Sequence, residues 1–171
     1  MAGIPIEIEP GKSIDLLPSN QSYLIKMICR EFTSRFMPEA RLIYVLDANE
    51  MTVYFNKEQL AKLGVTVDLQ FKMPTVVLYH ELANWLVLVE AVATRGPINS
   101  KRRTELRTIL AGSKAGLVLV TAFLDKPTFL KYAGEIAWNT GVWIADSPSH
   151  MIHFDGQRLY GPGTQHDLQS R

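Results

Sequence analysis

Unbroken apolar runs alternate along this chain with segments whose apolar positions recur every three to four residues. Leu42-Ile43-Tyr44-Val45-Leu46, Val76-Val77-Leu78-Tyr79, Trp85-Leu86-Val87-Leu88-Val89, Gly116-Leu117-Val118-Leu119-Val120-Thr121 and Val142-Trp143-Ile144-Ala145 predict strands covered on both faces. Thr52-Val53-Tyr54-Phe55, after the turn at Ala48-Asn49-Glu50, and His150 to Phe154 predict shorter strands. From an N-cap at Ser19 or Ser22, the positions Tyr23, Leu24, Met27, Ile28, Glu31 and Phe32 predict a helix that runs to Pro38. Lys57 to Leu63 reads as a short helix closed by Gly64, Ser100 to Leu110 as a basic helix, and Lys126 to Trp138 as a helix with Pro127 in its first turn. Such an alternation predicts an α/β fold, a three-layer sandwich with a central mixed β-sheet flanked by helices. Residues 1–19, with Pro5, Pro10 and Pro18, read as an extended lead-in, residues 20–162 as one domain, and residues 163–171 as a disordered tail.

The two runs joined by His80 to Asn84 predict a hairpin. With its turn centred between Leu82 and Ala83, facing residues have numbers that add to 165, so Val77 faces Leu88, Tyr79 faces Leu86 and Thr75 faces Glu90. Strand side chains alternate, which puts Glu90 and Val92 on one face. An acid closing a run as apolar as Leu-Val-Leu-Val-Glu-Ala-Val is costly unless it meets a basic side chain or holds a cation. Both outcomes are compatible with the pattern.

Composition narrows the partners. With 47% hydrophobic and 20% charged residues the 171-residue chain is an ordinary globular one, and its formal net charge of +1 gives no global attraction to a polyanion. Nucleic-acid binding therefore needs local clustering, which Arg95, Lys101, Arg102, Arg103, Arg107 and Lys114 supply against the single acid Glu105. The helix starting near Ser100 would turn its N–H groups and basic first turn toward the end of the strand carrying Glu90, a geometry that suits phosphate, although a solvated basic face reads the same way. Asn99 and Ser100 serve equally as caps or as contacts. Cys29, the only cysteine, excludes an internal disulfide and a Cys-rich zinc site. No apolar run approaches the roughly 20 residues that span a bilayer, and the opening Met-Ala-Gly-Ile-Pro lacks secretory character. A cytoplasmic protein with no membrane partner is expected.

Longer stretches carry a specific likeness. Met73-Pro74-Thr75-Val76-Val77-Leu78-Tyr79-His80, then Asn84 to Val92, Gly96-Pro97 and Lys101-Arg102 resemble the BsuBI/PstI restriction endonuclease family, within the PD-(D/E)XK nuclease superfamily. The likeness continues through Lys114 to Val118, Val120 to Phe123, Thr128 to Tyr132, Ile136-Ala137-Trp138, Val142 to Asp146, His150 to Phe154 and Gly161-Pro162, and upstream at Glu31-Phe32 and Leu42 to Val45.

The resemblance implies a restriction-endonuclease-like fold and a type II enzyme that cuts both strands of a short palindromic duplex with Mg²⁺, as a homodimer. It further implies that an additional N-terminal recognition region of the family is missing from this sequence. The superfamily Pro-Asp falls on Pro74-Thr75, the second acid on Glu90, which would be the metal ligand, and the motif lysine on Val92. Lys101, opening the next helix, could swing in to replace that lysine. Arg95, Lys101, Arg102 and Arg103 are the implied DNA contacts. Asp68 and Glu81 are nearby in sequence, but neither has the cross-strand relation to Glu90 that position 75 has. A threonine brings no negative charge, and losing one charge about 4 Å from a cation at an effective dielectric of about 20 is worth on the order of 4 kcal/mol. That corresponds to roughly a thousandfold in rate. The expectation is a nuclease that cleaves slowly or not at all, with a DNA-binding pseudonuclease or an assembly module as the alternatives.

Other motifs weaken on inspection. Ala111 to Gly116 follows a helix and precedes a strand, the reverse of a P-loop, and reads as a helix-ending turn. His150 and His153 with Asp146 read as structural. Trp85, Trp138 and Trp143 are expected in the core, and Cys29 as a small core residue.

Overall fold

A computed structural model describes residues 2–68, 72–93 and 95–159. The expected tail at 163–171 lies outside the described residues. The order is β1 (Ile4–Glu9), β2 (Lys12–Leu16), α1 (Asn20–Met27), a π-helical turn (Ile28–Phe32), α2 (Thr33–Phe36), β3 (Arg41–Leu46), β4 (Thr52–Phe55) and α3 (Lys57–Lys62), then β5 (Val76–His80), β6 (Trp85–Val92), α4 (Ser100–Ile109), β7 (Gly116–Phe123), α5 (Lys126–Tyr132), a 3₁₀ turn (Ala133–Glu135), β8 (Gly141–Ile144) and β9 (Met151–His153). Among the described residues, seven strands form one mixed sheet in the order β4-β3-β5-β6-β7-β8-β9. The β6-β7 and β7-β8 pairs are parallel, bridged by α4 and α5, and the remaining pairs are antiparallel.

The continuous apolar runs are explained by burial on both faces. Val87, Val89 and Ala91 of β6 pack with Ile25 of α1, Ile28 and Phe32 of the π-helical turn and Ile6 of β1. Leu86 and Leu88, one residue out of phase, pack with Leu60 of α3 and Leu106 of α4. Further along that second face, Val92, Phe123, Val142 and Ile144 meet Phe129 of α5 in a separate cluster. This is the predicted three-layer α/β sandwich. Among the described residues no helix is long and apolar enough to cross a membrane.

The caps follow the local chemistry. Ser19 accepts from the Ser22 amide at the start of α1, Asn56 from Gln59 at α3, Asn99 from Arg102 at α4, and Asp125 from Thr128 at α5. Hydrogen bonding to Thr128 lowers the Asp125 pKa. Gly64 ends α3 with φ at 85°, a conformation that glycine adopts without cost.

Three expectations change. Residues 1–19 are not a simple lead-in: Gly11, at φ 75°, turns β1 back on β2, and Ile6, Ile8 and Leu16 are buried against α1. The alternation Ile4-Pro5-Ile6-Glu7-Ile8-Glu9 carries that signal, with Pro5 on the exposed face of the strand. The helix expected to reach Trp138 leaves α-helical geometry after Tyr132, where Gly134 weakens it. Trp85 and Trp138 are 48% and 68% exposed, whereas Trp143 is fully buried. Trp85 opens β6 at the sheet margin, and Trp138 lies in the loop before β8 against the Phe154 ring, so neither is covered by a second layer.

Leu88, fully buried in the central strand, offers a direct check on the two-faced core: Leu88→Ala is expected to cost about 2–5 kcal/mol in equilibrium denaturation. Cys29 is half-buried at the margin of the core rather than within it, and desolvation there pushes its thiol up to about 12. Alkylation of the native chain at pH 8 is therefore expected to run at least about a hundredfold slower than in denaturant, as followed by mass spectrometry.

Candidate active site

The sheet brings three polar side chains into a row on an otherwise apolar face. The β5-β6 register pairs Val76 with Val89, Val77 with Leu88 and Tyr79 with Leu86, the alignment read from the sequence. Continuing it by one residue puts Thr75 opposite Glu90, and on the other side of β6 Glu90 pairs with Thr121 of β7. All three are buried. Their row falls between the cluster under α3 and α4 and the cluster under α5.

Each threonine hydroxyl is already engaged. Thr75 Oγ1 accepts from the Ala91 amide at 3.1 Å, and its carbonyl accepts from Leu46 N–H at 2.8 Å. Thr121 Oγ1 accepts from the Ile98 amide at 3.1 Å, which fixes the segment leading into α4. Gln21 of α1, buried beneath the sheet, donates through Nε2 to the Ala91 carbonyl and accepts at Oε1 from Ala93 N–H, both at 3.1 Å. It thereby clamps the chain as it leaves β6. Nothing in the local sequence around Gln21 signals this, because the contact spans about 70 residues.

Glu90 is answered by two arginines. Arg102, in the first turn of α4, donates from Nη2 to Oε1 at 2.8 Å, while Arg95 Nη2 lies 3.8 Å from Oε2. The side chains of Glu90, Arg95 and Arg102 are only 2%, 7% and 11% exposed. Arg102 Nη1 also donates to the Lys72 carbonyl at 2.9 Å and lies 3.4 Å from Glu105. Among the described residues Arg95 makes only long contacts besides: its Nη2 donates to the Met73 carbonyl at 3.4 Å, and its Nε is 4.0 Å from Glu50. Lys101, with an exposed side chain, joins Lys72, Glu90, Arg95, Arg102 and Glu105 around an open cavity of about 180 Å³.

The structure thus gathers Thr75, Glu90, Arg95, Lys101 and Arg102 at one end of the sheet. It sends Arg103 elsewhere, to donate from Nη1 to the Trp138 carbonyl at 2.6 Å. Asn99 is a helix cap. Val92, at the motif lysine position, is buried in the α5 cluster. Glu81 sits at the hairpin turn, 3.3 Å from Arg41.

A divalent cation needs anionic oxygen not already committed elsewhere. Among the described residues no group of three or more His, Cys, Asp or Glu side chains is placed to hold a metal ion. Glu90, whose two oxygens face guanidinium groups, and Thr75, whose hydroxyl faces an amide, do not fit a Mg²⁺ site as they stand.

A mixed sheet sandwiched by helices, with a buried acid at the end of a hairpin strand, is the architecture of a restriction-endonuclease-type domain. The solved structure of the SdaI restriction endonuclease matches with a TM-score of 0.88 at 37% identity, over 94% of this chain and 51% of that one. The model of the BsuBI/PstI restriction endonuclease domain matches residues 4–157, and the chain belongs to that family. Its start at residue 4 takes in the β1-β2 hairpin, upstream of the resemblance read from residue 20 onward. The type II restriction enzyme BsuBI of Bacillus subtilis is 46% identical over 93% of this chain and 50% of its own length. The type II restriction enzyme AplI of Arthrospira platensis is 29% identical over 90% of this chain and 49% of its own. The chain spans about half the length of the curated relatives it matches.

The Glu90 cluster predicts its own measurement. Glu90→Gln removes the buried counter-charge of two guanidinium groups, leaving them only the more exposed Glu105 and Glu50, and is expected to lower stability by about 3–5 kcal/mol in urea denaturation. A loss under about 1 kcal/mol, the scale of an exposed pair, would contradict the buried arrangement.

Proposed function

We propose that this chain is the nuclease domain of a type II restriction endonuclease lineage, engaging duplex DNA at the sheet end that carries Glu90, with its hydrolysis of phosphodiester bonds strongly impaired. The observation that carries the reading is the pairing of a buried Glu90 with Thr75 across the hairpin, beside the N-terminus of a basic helix, in a chain of this family. In this reading Glu90 is the remaining acid of a divalent-metal centre. Lys101 stands at the cavity rim for the part of the motif lysine, and Arg95 and Arg102 face the DNA backbone. Arg103, tied to Trp138, braces α4 rather than meeting DNA. A palindromic duplex calls for a two-fold dimer of the protein, and a soluble cytoplasmic setting fits such a substrate.

Hydrolysis with Mg²⁺ is the finer part of the proposal. As placed, Glu90 has Oε1 bonded to Arg102 and Oε2 facing Arg95 at 3.8 Å, and Thr75 adds no charge, so the second reading, a DNA-binding pseudonuclease, is favoured for the unaltered sequence by the two arginine contacts to Glu90.

Thr75→Asp is expected to gain Mg²⁺-dependent plasmid cleavage about a thousandfold above the unaltered chain, the factor that one missing charge near the cation implies. Equal and robust cutting by both would refute the impairment. A mobility shift of equal strength with and without divalent metal, leaving the duplex intact, identifies the pseudonuclease.

A further inference from the structure

We propose that Arg95 is the resident cation of the Glu90 centre. Its buried guanidinium supplies, as part of the chain, the positive charge that a divalent ion would otherwise bring, and the unaltered protein binds no metal there. The proposal rests on the reading of Glu90 as the remaining acid of a divalent-metal centre, and it accounts for the misfit between that reading and the residues present. Arg95 has its side chain 7% exposed, with Nε and Nη1 closed to solvent and without a hydrogen-bond partner among the described residues. Neither atom is open to a ligand from outside. Around the guanidinium stands oxygen from three parts of the fold: Glu90 Oε2 on β6 at 3.8 Å, the Met73 carbonyl ahead of β5 at 3.4 Å, and Glu50 Oε1 on the β3-β4 turn at 4.0 Å. Carboxylates and a carbonyl are the oxygen types that a hard divalent cation takes. Contacts this long hold the guanidinium by its charge more than by short hydrogen bonds.

The turn that carries Glu50 is shaped for this reach. Asp47 Oδ1 accepts from the amides of Asn49 and Met51, both at 2.9 Å, and Glu50 is held at φ 60°. That conformation is costly for a residue with a side chain, and here it accompanies the approach of the Glu50 carboxylate to Arg95 and Lys72. The balance of charge then decides against a metal. Glu90 meets Arg102 at 2.8 Å and Arg95 at 3.8 Å, all three side chains being buried, whereas Glu50 and Glu105 are far more exposed. A divalent ion brought to Glu90 would be attracted by one buried carboxylate and repelled by two buried cations, in surroundings that screen charge less than water does. Thr75 adds nothing to the attraction. An acid at that position would add one charge to it, so the gain expected of Thr75→Asp is that of a metal able to displace Arg95.

The test titrates the full chain with Mn²⁺ at constant ionic strength, read by thermal unfolding and by paramagnetic broadening of the Arg95 Nε–H resonance in NMR. The parent is expected to unfold at the same temperature in EDTA and in Mn²⁺ and to keep its Arg95 signal sharp. Arg95→Met removes the charge at similar length. It is expected to unfold below the parent in EDTA and to gain about 5–10 °C once Mn²⁺ stands about a hundredfold above its dissociation constant. Adding Glu90→Gln to Arg95→Met is expected to abolish that gain, and Arg95→Lys, which keeps the charge, to stay indifferent to Mn²⁺. A merely structural Arg95 would leave Arg95→Met destabilised and equally indifferent to the metal, which would overturn the proposal. If Arg95→Met fails to fold even with Mn²⁺, the parent and Arg95→Lys still decide. Their indifference supports the proposal, whereas broadening of the parent's Arg95 signal, or a Mn²⁺-dependent rise in the parent that Glu90→Gln abolishes, overturns it. A mobility shift with duplex DNA separates this inference from the function on which it rests. A parent that binds no duplex sinks the DNA reading and leaves the cation result standing, while Mn²⁺ bound at Glu90 of the parent does the reverse.

Discussion

A carboxylate at the end of a strand buried on both faces must be answered by charge, and the Glu90 group organises this end of the domain around that requirement. Arg102 reaches it because α4 begins directly after the Gly96-Pro97 turn, with Asn99 capping its first turn. The segment before α4 is fastened in turn by the Ile98 amide on Thr121 and by the Ala137 amide on the Ile98 carbonyl. On the opposite face Gln21 holds the outgoing chain at Ala91 and Ala93. A change at Glu90 is therefore felt in β6, in α4 and in the connection between them.

The rest of the sandwich supplies the rigidity that such a group demands. β6 is the strand on which both layers converge, with alternate residues committed to α1 and the hairpin on one side and to α3 and α4 on the other. A register slip of one residue would exchange those faces and put Glu90 among the α1 contacts. Two apolar clusters on the second face leave the polar row of Thr75, Glu90 and Thr121 between them, so the polar groups interrupt the core at one level only.

The same row bears on the function proposed above, in which position 75 stands where the family motif has an acid. Threonine fits position 75 without leaving an unsatisfied group, since its hydroxyl takes the Ala91 amide. It keeps the fold and removes the charge. Arg102 meets Glu90 and Glu105, and Arg95 lies between Glu90 at 3.8 Å and Glu50 at 4.0 Å.

Much of this was legible in the sequence. Period-2 alternation and the length of the His80–Asn84 connection determine the hairpin register, because shifting it would expose an apolar face, and the register brings Thr75 to Glu90. Apolar runs between helices determine the layered α/β class for the same reason. Local chemistry determines the caps at Ser19 and Asn99. Tertiary structure alone decided how the Glu90 charge is met: the sequence left a basic partner and a bound cation both open, and it takes the placement of α4 to bring in Arg102 and keep Arg103 away. It likewise decided the exposure of Trp85 and Trp138, the folding back of residues 4–16, and the reach of Gln21. Each depends on which surface a distant segment covers. Local pattern records the burial that a strand or helix needs, whereas the partner supplying it is set only when the layers close.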